Sequence, residues 1–292
     1  MNLETLIDQT LAEVSGYVKN QEPVTVLTQA LNATDLTITV DEVSSLSKGT
    51  VEIGDELVYA KNVDKTAGTA TIMPAGRGWQ GTTAAAHDIH ALVRNNPTFP
   101  RSQVKRAIND TIQGIDLFGI SNYTFNFNGT TYAYALPVGA NDVTGVSWDT
   151  LNSTGVWALI RRYRVDRNFY VAGETGRYAI VLNEVPAAGR DVRVQYTHLP
   201  TALTTGAEFS TSGLPASAAD VIRLGAMWRL VTTVDASKIV STAPQGDLVD
   251  SKIMAGTPTA LARYVYQLFS VRLAEEKAKQ IDVLQNIVQF ER

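Results

Sequence analysis

TPTALARYVYQLFSVRLAEEKAKQIDVLQNIVQFER, residues 257–292, carries the least ambiguous pattern in the chain. Thr257 is placed to cap a helix, and Pro258 falls in its first turn, where a missing N–H costs nothing. Leu261, Tyr264, Val265, Leu268, Val271, Ala274, Ala278, Ile281, Leu284 and Val288 then recur at helical spacing. Arg263, Arg272, Glu275, Glu276, Lys277, Lys279 and Asp282 mostly occupy the other faces, and no Gly or Pro interrupts the run. A continuous helix here spans roughly 45–50 Å at the usual rise per residue. That exceeds a typical globular helix, and its apolar stripe has to be covered by something. This run is the expected spine of the fold.

The 292 residues are 45% hydrophobic and 18% charged, enough for a real core divided among two or three domains. No window approaches a membrane span, and the opening MNLETLIDQTL is amphipathic rather than a signal peptide. The absence of cysteine excludes disulfides and thiolate metal sites. A net charge of −4 argues against a general nucleic-acid binder. The charge is uneven: residues 1–98 hold six Lys/Arg against twelve Asp/Glu, and residues 99–292 hold nineteen against seventeen. Ordinary solvation accounts for this asymmetry.

Outward from the spine, the expected fold class is α+β. A helical core, made of N-terminal, middle and C-terminal helices, carries two inserted antiparallel β-domains. The N-terminal helix covers 1–22, with Leu3, Leu6, Ile7, Leu11, Val14 and Val18 in a stripe and Pro23 beyond it. A small β-barrel or module covers 23–97, with alternation at Leu36–Val40 and a hairpin at Val51–Ile53, Gly54-Asp55, Leu57–Tyr59. A core helix covers 98–121, opened by Pro100, striped by Val104, Ala107, Ile108, Thr111, Ile115 and Phe118, and capped by Gly119. An antiparallel β-sandwich covers 122–200. Its expected features are a hairpin at Asn128-Gly129 and a strand Trp157–Val165 with Arg162 and Arg164 on the face opposite Trp157. A Thr/Ser/Gly/Pro-rich linker covers 201–215. The helical unit 216–292 follows, with a weak capping box Ser217–Asp220 and a broad stripe around Trp228. A long polar connection, Ser237–Gly256, leads into the spine.

No constellation for catalysis stands out. Gly76-Arg-Gly-Trp-Gln-Gly81 matches G-x-G-x-x-G, but Pro74 breaks the lead-in and no long helix follows, so a Gly-rich turn with a packed Trp79 is the better reading. His87 and His90 form H-x-x-H without a third ligand at suitable spacing, and nothing places Asp55 or Glu56 beside them. His198 sits in no general-base motif. The expectation is a non-enzyme with no catalytic residue, no cofactor and no metal. The arginines 161, 162, 164 and 167 are read first as a solvated strand face.

Two stretches resemble virion proteins of tailed bacteriophages. Gly49-Thr-Val-Glu-Ile-Gly-Asp-Glu-Leu-Val-Tyr59 followed by Arg77-Gly-Trp-Gln-Gly-Thr-Thr-Ala-Ala-Ala-His87 is similar to a small β-module of phage tail and neck proteins. Trp157–Val165, Tyr178–Leu182, Pro186–Gly189 and Val192–Tyr196 resemble the β-domain of phage neck proteins, and the flanking helices resemble the core of head–tail connector adaptors. The resemblance implies an adaptor or head-completion subunit in the virion, at the head–tail junction, made in the host bacterial cytoplasm. The implied partners are the portal protein, neighbouring copies in a homo-oligomeric ring expected to be a dodecamer, and the next neck or tail protein (stopper, tail terminator or tail tube). DNA would pass through the lumen without sequence-specific binding, and no membrane is involved. Interface candidates are Trp228, Tyr264, Leu268, Arg162, Arg164 and Trp79. Two other readings stay open. A tail-fibre or baseplate component predicts threefold assembly, and a carbohydrate-binding or hydrolysing β-protein predicts Trp79 or Trp148 beside paired carboxylates.

Overall fold

The computed structural model describes residues 1–18, 22–150, 155–171, 174–233 and 257–288. The fold is mixed α+β. Helix α1 (Leu3–Ser15) precedes six strands, α2 (Arg101–Gly114) separates these from seven more, and α3 (Ala219–Thr233) and α4 (Thr257–Val288) follow. The expected connection Ser237–Gly256 lies outside the described residues, as do the side chains of Leu284 and Val288. The chain divides into two compact units, one of Glu4–Thr111 with Ile222–Phe269, the other of Met1–Leu3, Ile112–Val221 and Ser270–Arg292.

In the first of these units, β1 (Val24–Val26), β2 (Thr37–Thr39), β3 (Gly49–Ile53), β4 (Glu56–Asp64), β5 (Thr69–Ile72) and β6 (Leu92–Asn95) form one sheet of order β1-β6-β3-β4-β5-β2. The expected two-residue turn at Gly54-Asp55 joins β3 to β4, with Ile53 opposite Glu56. The sheet curls back on itself. A Leu27–Val40 bridge links its two ends, supported by Thr28 N–H to Thr39 C=O at 3.0 Å and Asp41 N–H to Val26 C=O at 3.1 Å. Leu27, Ile38, Val51, Ile53, Val58, Ile72 and Val93 fill the interior. Alternation fails in two places: Glu52, between Val51 and Ile53, is buried as well, and Glu56, Leu57 and Val58 are buried in succession.

Helices pack in the same unit through a close approach at Gly225. A Cβ there would lie 2.4 Å from Thr111 Cγ2 and 2.9 Å from Phe269 Cε2, so α3 meets α2 and α4 where only hydrogen fits. Ile222, Ala226, Met227, Leu230 and Val231 are buried around it, which is why this helix is apolar over so much of its circumference.

The other unit holds a two-sheet sandwich. One sheet has the order β10-β9-β13-β7, from β7 (Gly119–Asn126), β9 (Ala140–Asp149), β10 (Trp157–Leu159) and β13 (Asp191–His198). The second has the order β11-β12-β8, from β8 (Ala133–Ala135), β11 (Tyr163–Val171) and β12 (Glu174–Leu182). Phe127, Leu136, Val146, Ile160, Ile180, Leu182, Val192 and Val194 form their shared core.

Three local expectations are corrected here. The Asn128-Gly129 segment is not a hairpin: β7 pairs with β13 and β8 with β12, in different sheets. Asn128 Oδ1 accepts from the Thr130 and Thr131 N–H groups, at 3.0 and 2.7 Å, and turns the chain across the sandwich. Phe125 and Tyr134 then stack at 3.8 Å instead of lying side by side in one sheet. Trp157–Val165 is likewise two strands rather than one. Ile160 is buried and its N–H still bonds Val146, whereas Arg162 C=O accepts from the Asn183 and Glu184 N–H groups beyond β12. The chain changes sheets between them. Finally, α2 ends at Gly114, and Gly119 is a strand residue rather than a helix cap. A Cβ on Gly119 would lie 2.3 Å from His198 Cε1, so the imidazole occupies the space a side chain would need.

Residues 201–215, linker-like in composition, are packed. Leu203, Phe209, Ser212 and Leu214 are buried, and the N-terminal residues bind this stretch through Leu3 N–H to Ala207 C=O and Phe209 N–H to Met1 C=O, at 2.9 and 2.8 Å. The expected capping box at the start of α3 does not form. Ser217 Oγ donates to Glu276 at 2.7 Å, and Asp220 pairs with Arg272.

Gly225 gives a test whose sign is diagnostic. Gly→Ala inside a helix ordinarily gains about 0.5–1 kcal/mol. Thr111 cannot swing its methyl aside without breaking the 2.7 Å bond from its hydroxyl to Ala107 C=O. Gly225→Ala is therefore expected to destabilise the protein, by about 1–3 kcal/mol for overpacking, read as a lower urea midpoint at unchanged slope.

Candidate functional site

The resemblance motif Arg77–His87 closes around one carboxylate. Glu56, the first residue of β4, has a fully buried side chain and accepts five hydrogen bonds. Arg77 donates twice, from Nε at 2.7 Å and Nη2 at 2.9 Å. The N–H groups of Gly78 and Ala85 donate at 2.9 and 3.1 Å, and His87 Nε2 lies at 2.8 Å. Arg77 continues outward to the carbonyls of Asn32, Asp35 and Ala85. The irregular segment after β5 thus wraps an anion whose charge is matched by one guanidinium and satisfied by backbone donors. Burial alone would raise the Glu56 pKa. The bonds from Arg77, Ala85, Gly78 and His87 outweigh it and bring the value from 4.5 down to about 2.

The second buried carboxylate, Glu52, behaves oppositely. Burial pushes its pKa up, and the nearby charges of Arg94 and Arg101 reverse this only in part. Arg101, the first residue of α2, donates its backbone N–H to Glu52 at 2.5 Å while its guanidinium pairs with Glu4 and Asp8 of α1 and Asp55 of the β3–β4 turn. A cleft of about 720 Å³ opens beside these groups, lined by Glu4, Asp8, Asp55, His87, Arg94 and Arg101 among others. The charged side chains at its mouth already bond one another, so the arrangement ties α1 and α2 to the β-module. Among the described residues no group of three or more His, Asp or Glu is placed to hold a metal ion, and no helix is long and apolar enough to cross a membrane.

The six sequence-derived interface candidates lie in four places. Trp79 is half-buried with its ring 5.0 Å from Tyr59, inside the β-module. Arg162 and Arg164 are exposed where the chain changes sheets, the first lending its carbonyl to that crossing. Trp228 is half-buried against its own chain, 5.1 Å from the Tyr266 ring and stacked on Phe269 at 6.3 Å. Tyr264 and Leu268, in contrast, are 52% and 39% exposed, and Val271 is 59% exposed. At spacings of four and three residues these side chains form one row along α4. Val265 and Phe269, on the neighbouring face, are buried. The apolar stripe read in the sequence is two rows, one covered by the chain and one left in solvent. Trp148 packs against the sandwich core.

Sequence reasoning missed Glu56 because it looked for metal ligands and found only two histidines. The usable signal was the Arg77 and His87 pair bracketing a Gly-rich turn, a donor set that asks for a buried anion. Linkage makes this testable. A folded pKa near 2 against 4.5 unfolded contributes stability that is complete above pH 4.5 and disappears as pH falls through about 2, a term of about 3 kcal/mol. Thermal melts between pH 5 and 2 are expected to show a steep loss for the wild type. Glu56→Gln is expected to start about 3–5 kcal/mol lower, because Arg77 is left buried without its anion, and to vary less over the same window.

No family model matches the chain, and no curated protein matches it in sequence. Among solved structures it is similar to a chain described as the neck of an empty GTA particle computed with C6 symmetry, at 17% identity, covering 56% of this chain and 76% of that one. The TM-score is 0.22, a level at which the likeness carries no argument about function.

Proposed function

We propose that this chain is a structural subunit of the head-to-tail connector of a tailed bacteriophage, a non-catalytic adaptor that forms a ring, docks on the portal and receives the next neck or tail protein. In this reading the helices α1–α4 make the portal-facing and ring-forming part, and the β-domains make the outer wall or the contact to the next neck or tail protein. Twelve copies would surround a lumen through which DNA passes without sequence-specific contacts. The two motif stretches that resemble phage neck and tail proteins support the reading.

The observation that carries it is the exposed row on α4. Three apolar side chains share one exposed face of this helix, a contiguous row rather than single scattered residues. Ring closure buries such a row against a different patch of the next copy. Leu268→Asp and Val271→Asp place charge in that row without touching the buried Val265 and Phe269. Both variants are expected to keep the wild-type melting temperature within about 2 °C, since exposed substitutions change stability little, and to lose rings or portal-bound collars in negative-stain images. Wild-type collars that persist in both variants would remove this face from the assembly contact.

A further inference from the structure

The sandwich has four sheet edges, and three are protected in the ways that keep edges from pairing with other chains. β8 and β10 are three residues each. β11 carries Arg164, Asp166 and Arg167 and has two register shifts against β12. The fourth edge, β7, reads Gly-Ile-Ser-Asn-Tyr-Thr-Phe-Asn. It is eight residues long, has no charge and no proline, and pairs with β13 from Gly119 to Asn126 without a shift.

Bonds at two residues fix which backbone groups face outward. Phe127 N–H donates to Arg190 C=O at 2.8 Å, toward the β13 side. Phe118, nine residues earlier, is satisfied from the other side: Gln280 Oε1 accepts its N–H at 3.2 Å and Gln280 Nε2 donates to its carbonyl at 2.8 Å, as a paired strand would. Antiparallel alternation between these two points turns the N–H and C=O groups of Ile120, Asn122, Thr124 and Asn126 away from β13. No hydrogen bond from the described residues meets them. The side chains of Asn122, Thr124 and Asn126 are exposed, whereas Ser121, Tyr123 and Phe125 are half-buried on the core side.

We infer that β7 is a homotypic docking edge, and that its occupant is β7 of a second copy, antiparallel across a twofold axis at Tyr123. That register sets Asn122 opposite Thr124 and Ile120 opposite Asn126, so every outward group on both strands is used, roughly eight bonds at two per hydrogen-bonded pair. It places no like charges opposite each other, because the strand has none, and it sets Asn122 against Thr124 at the centre of the outer face. The core-side row continues as Ser121 opposite Phe125 with Tyr123 beside its counterpart. Two four-stranded sheets become one of eight strands. A second copy is favoured over another protein because strand length, alternation and neutrality all match the strand to itself. This contact goes beyond the ring reading and uses a different symmetry, so either can fail alone.

Sedimentation equilibrium and hydrogen exchange on the full chain test the inference. The wild type is expected to show a concentration-dependent pairing, with the amides of Ile120, Asn122, Thr124 and Asn126 gaining protection as mass rises. Thr124→Pro removes an outward N–H and leaves the β13 ladder its own donors; a pairing constant at least tenfold weaker is expected. Should Thr124→Pro fail to fold, Asn122→Lys/Thr124→Lys leaves the backbone alone and sets lysines against lysines, with the same expected loss. A wild type that stays monomeric with those four amides unprotected would overturn the proposal. So would pairing unchanged in the lysine variant, or protection that arises only when portal or another protein is added.

Discussion

A helix presents several faces, and one chain can bury only some of them. In α4 that limit is visible residue by residue. Val265 and Phe269 are buried, while Tyr264, Leu268 and Val271, one position away in each turn, are not. Further along, the inward face changes character. Glu276 is buried and paired with Ser217 and Lys279, and Arg272 reaches Asp220 and Glu275. The helix is held by apolar packing in its first half and by ion pairs in its second. Its outer row, Tyr264, Leu268 and Val271, stays 39–59% exposed. Apolar side chains left in one exposed row suit a surface met later.

The β-module has a different constraint. A curled sheet of this size leaves a long irregular return from β5 to β6, and the backbone groups of that return need partners. Glu56 supplies them from inside. A buried ion pair is weak evidence for stability by itself, because removing two charges from water costs most of what their attraction returns. Here the carboxylate also takes two backbone N–H groups, and its guanidinium partner donates to three carbonyls, so the pair specifies a loop path besides its pH-dependent contribution to stability. Trp79 lies against Tyr59 because that path is set.

Much of the architecture was legible in the sequence, for identifiable reasons. The spine, the first helix and the Gly54-Asp55 hairpin rest on local periodicity and turn chemistry, which the fold did not override. The Asn128-Gly129 turn misled because turn chemistry says that the chain reverses, not which sheet it returns to. Trp157–Val165 misled because its alternation continues unbroken across a change of sheet, and only the burial of Ile160 marks the crossing. Glu52 and Glu56 look like solvent-facing carboxylates in strands. Their partners, Arg94 and Arg101 in one case and Arg77 in the other, are 21 to 49 residues away, beyond any local pattern. The exposed row on α4 was half legible: the surplus of apolar positions was plain, but their division between two faces was decided by what α3 covers.

The candidate contact surfaces share a property that follows from how charge is distributed. Arg77, Arg94, Arg101 and Arg272 are all paired within the chain, so many of the strongest charges are directed inward or to each other. The exposed row Tyr264, Leu268 and Val271 on α4 carries no charge, and the outward edge of β7 is neutral backbone. Arg162 and Arg164 are the exceptions, exposed on a part of the chain that is net basic relative to the acidic first 98 residues. Screening acts on charges and leaves apolar burial and backbone pairing nearly untouched. Association through α4 or β7 should therefore persist as salt is raised, whereas any contact made by Arg162 and Arg164 should fade within a Debye length of about 10 Å at 0.1 M salt. Salt dependence thereby separates which of the surfaces a given complex uses, because the sequence has divided apolar, neutral and charged character among different elements.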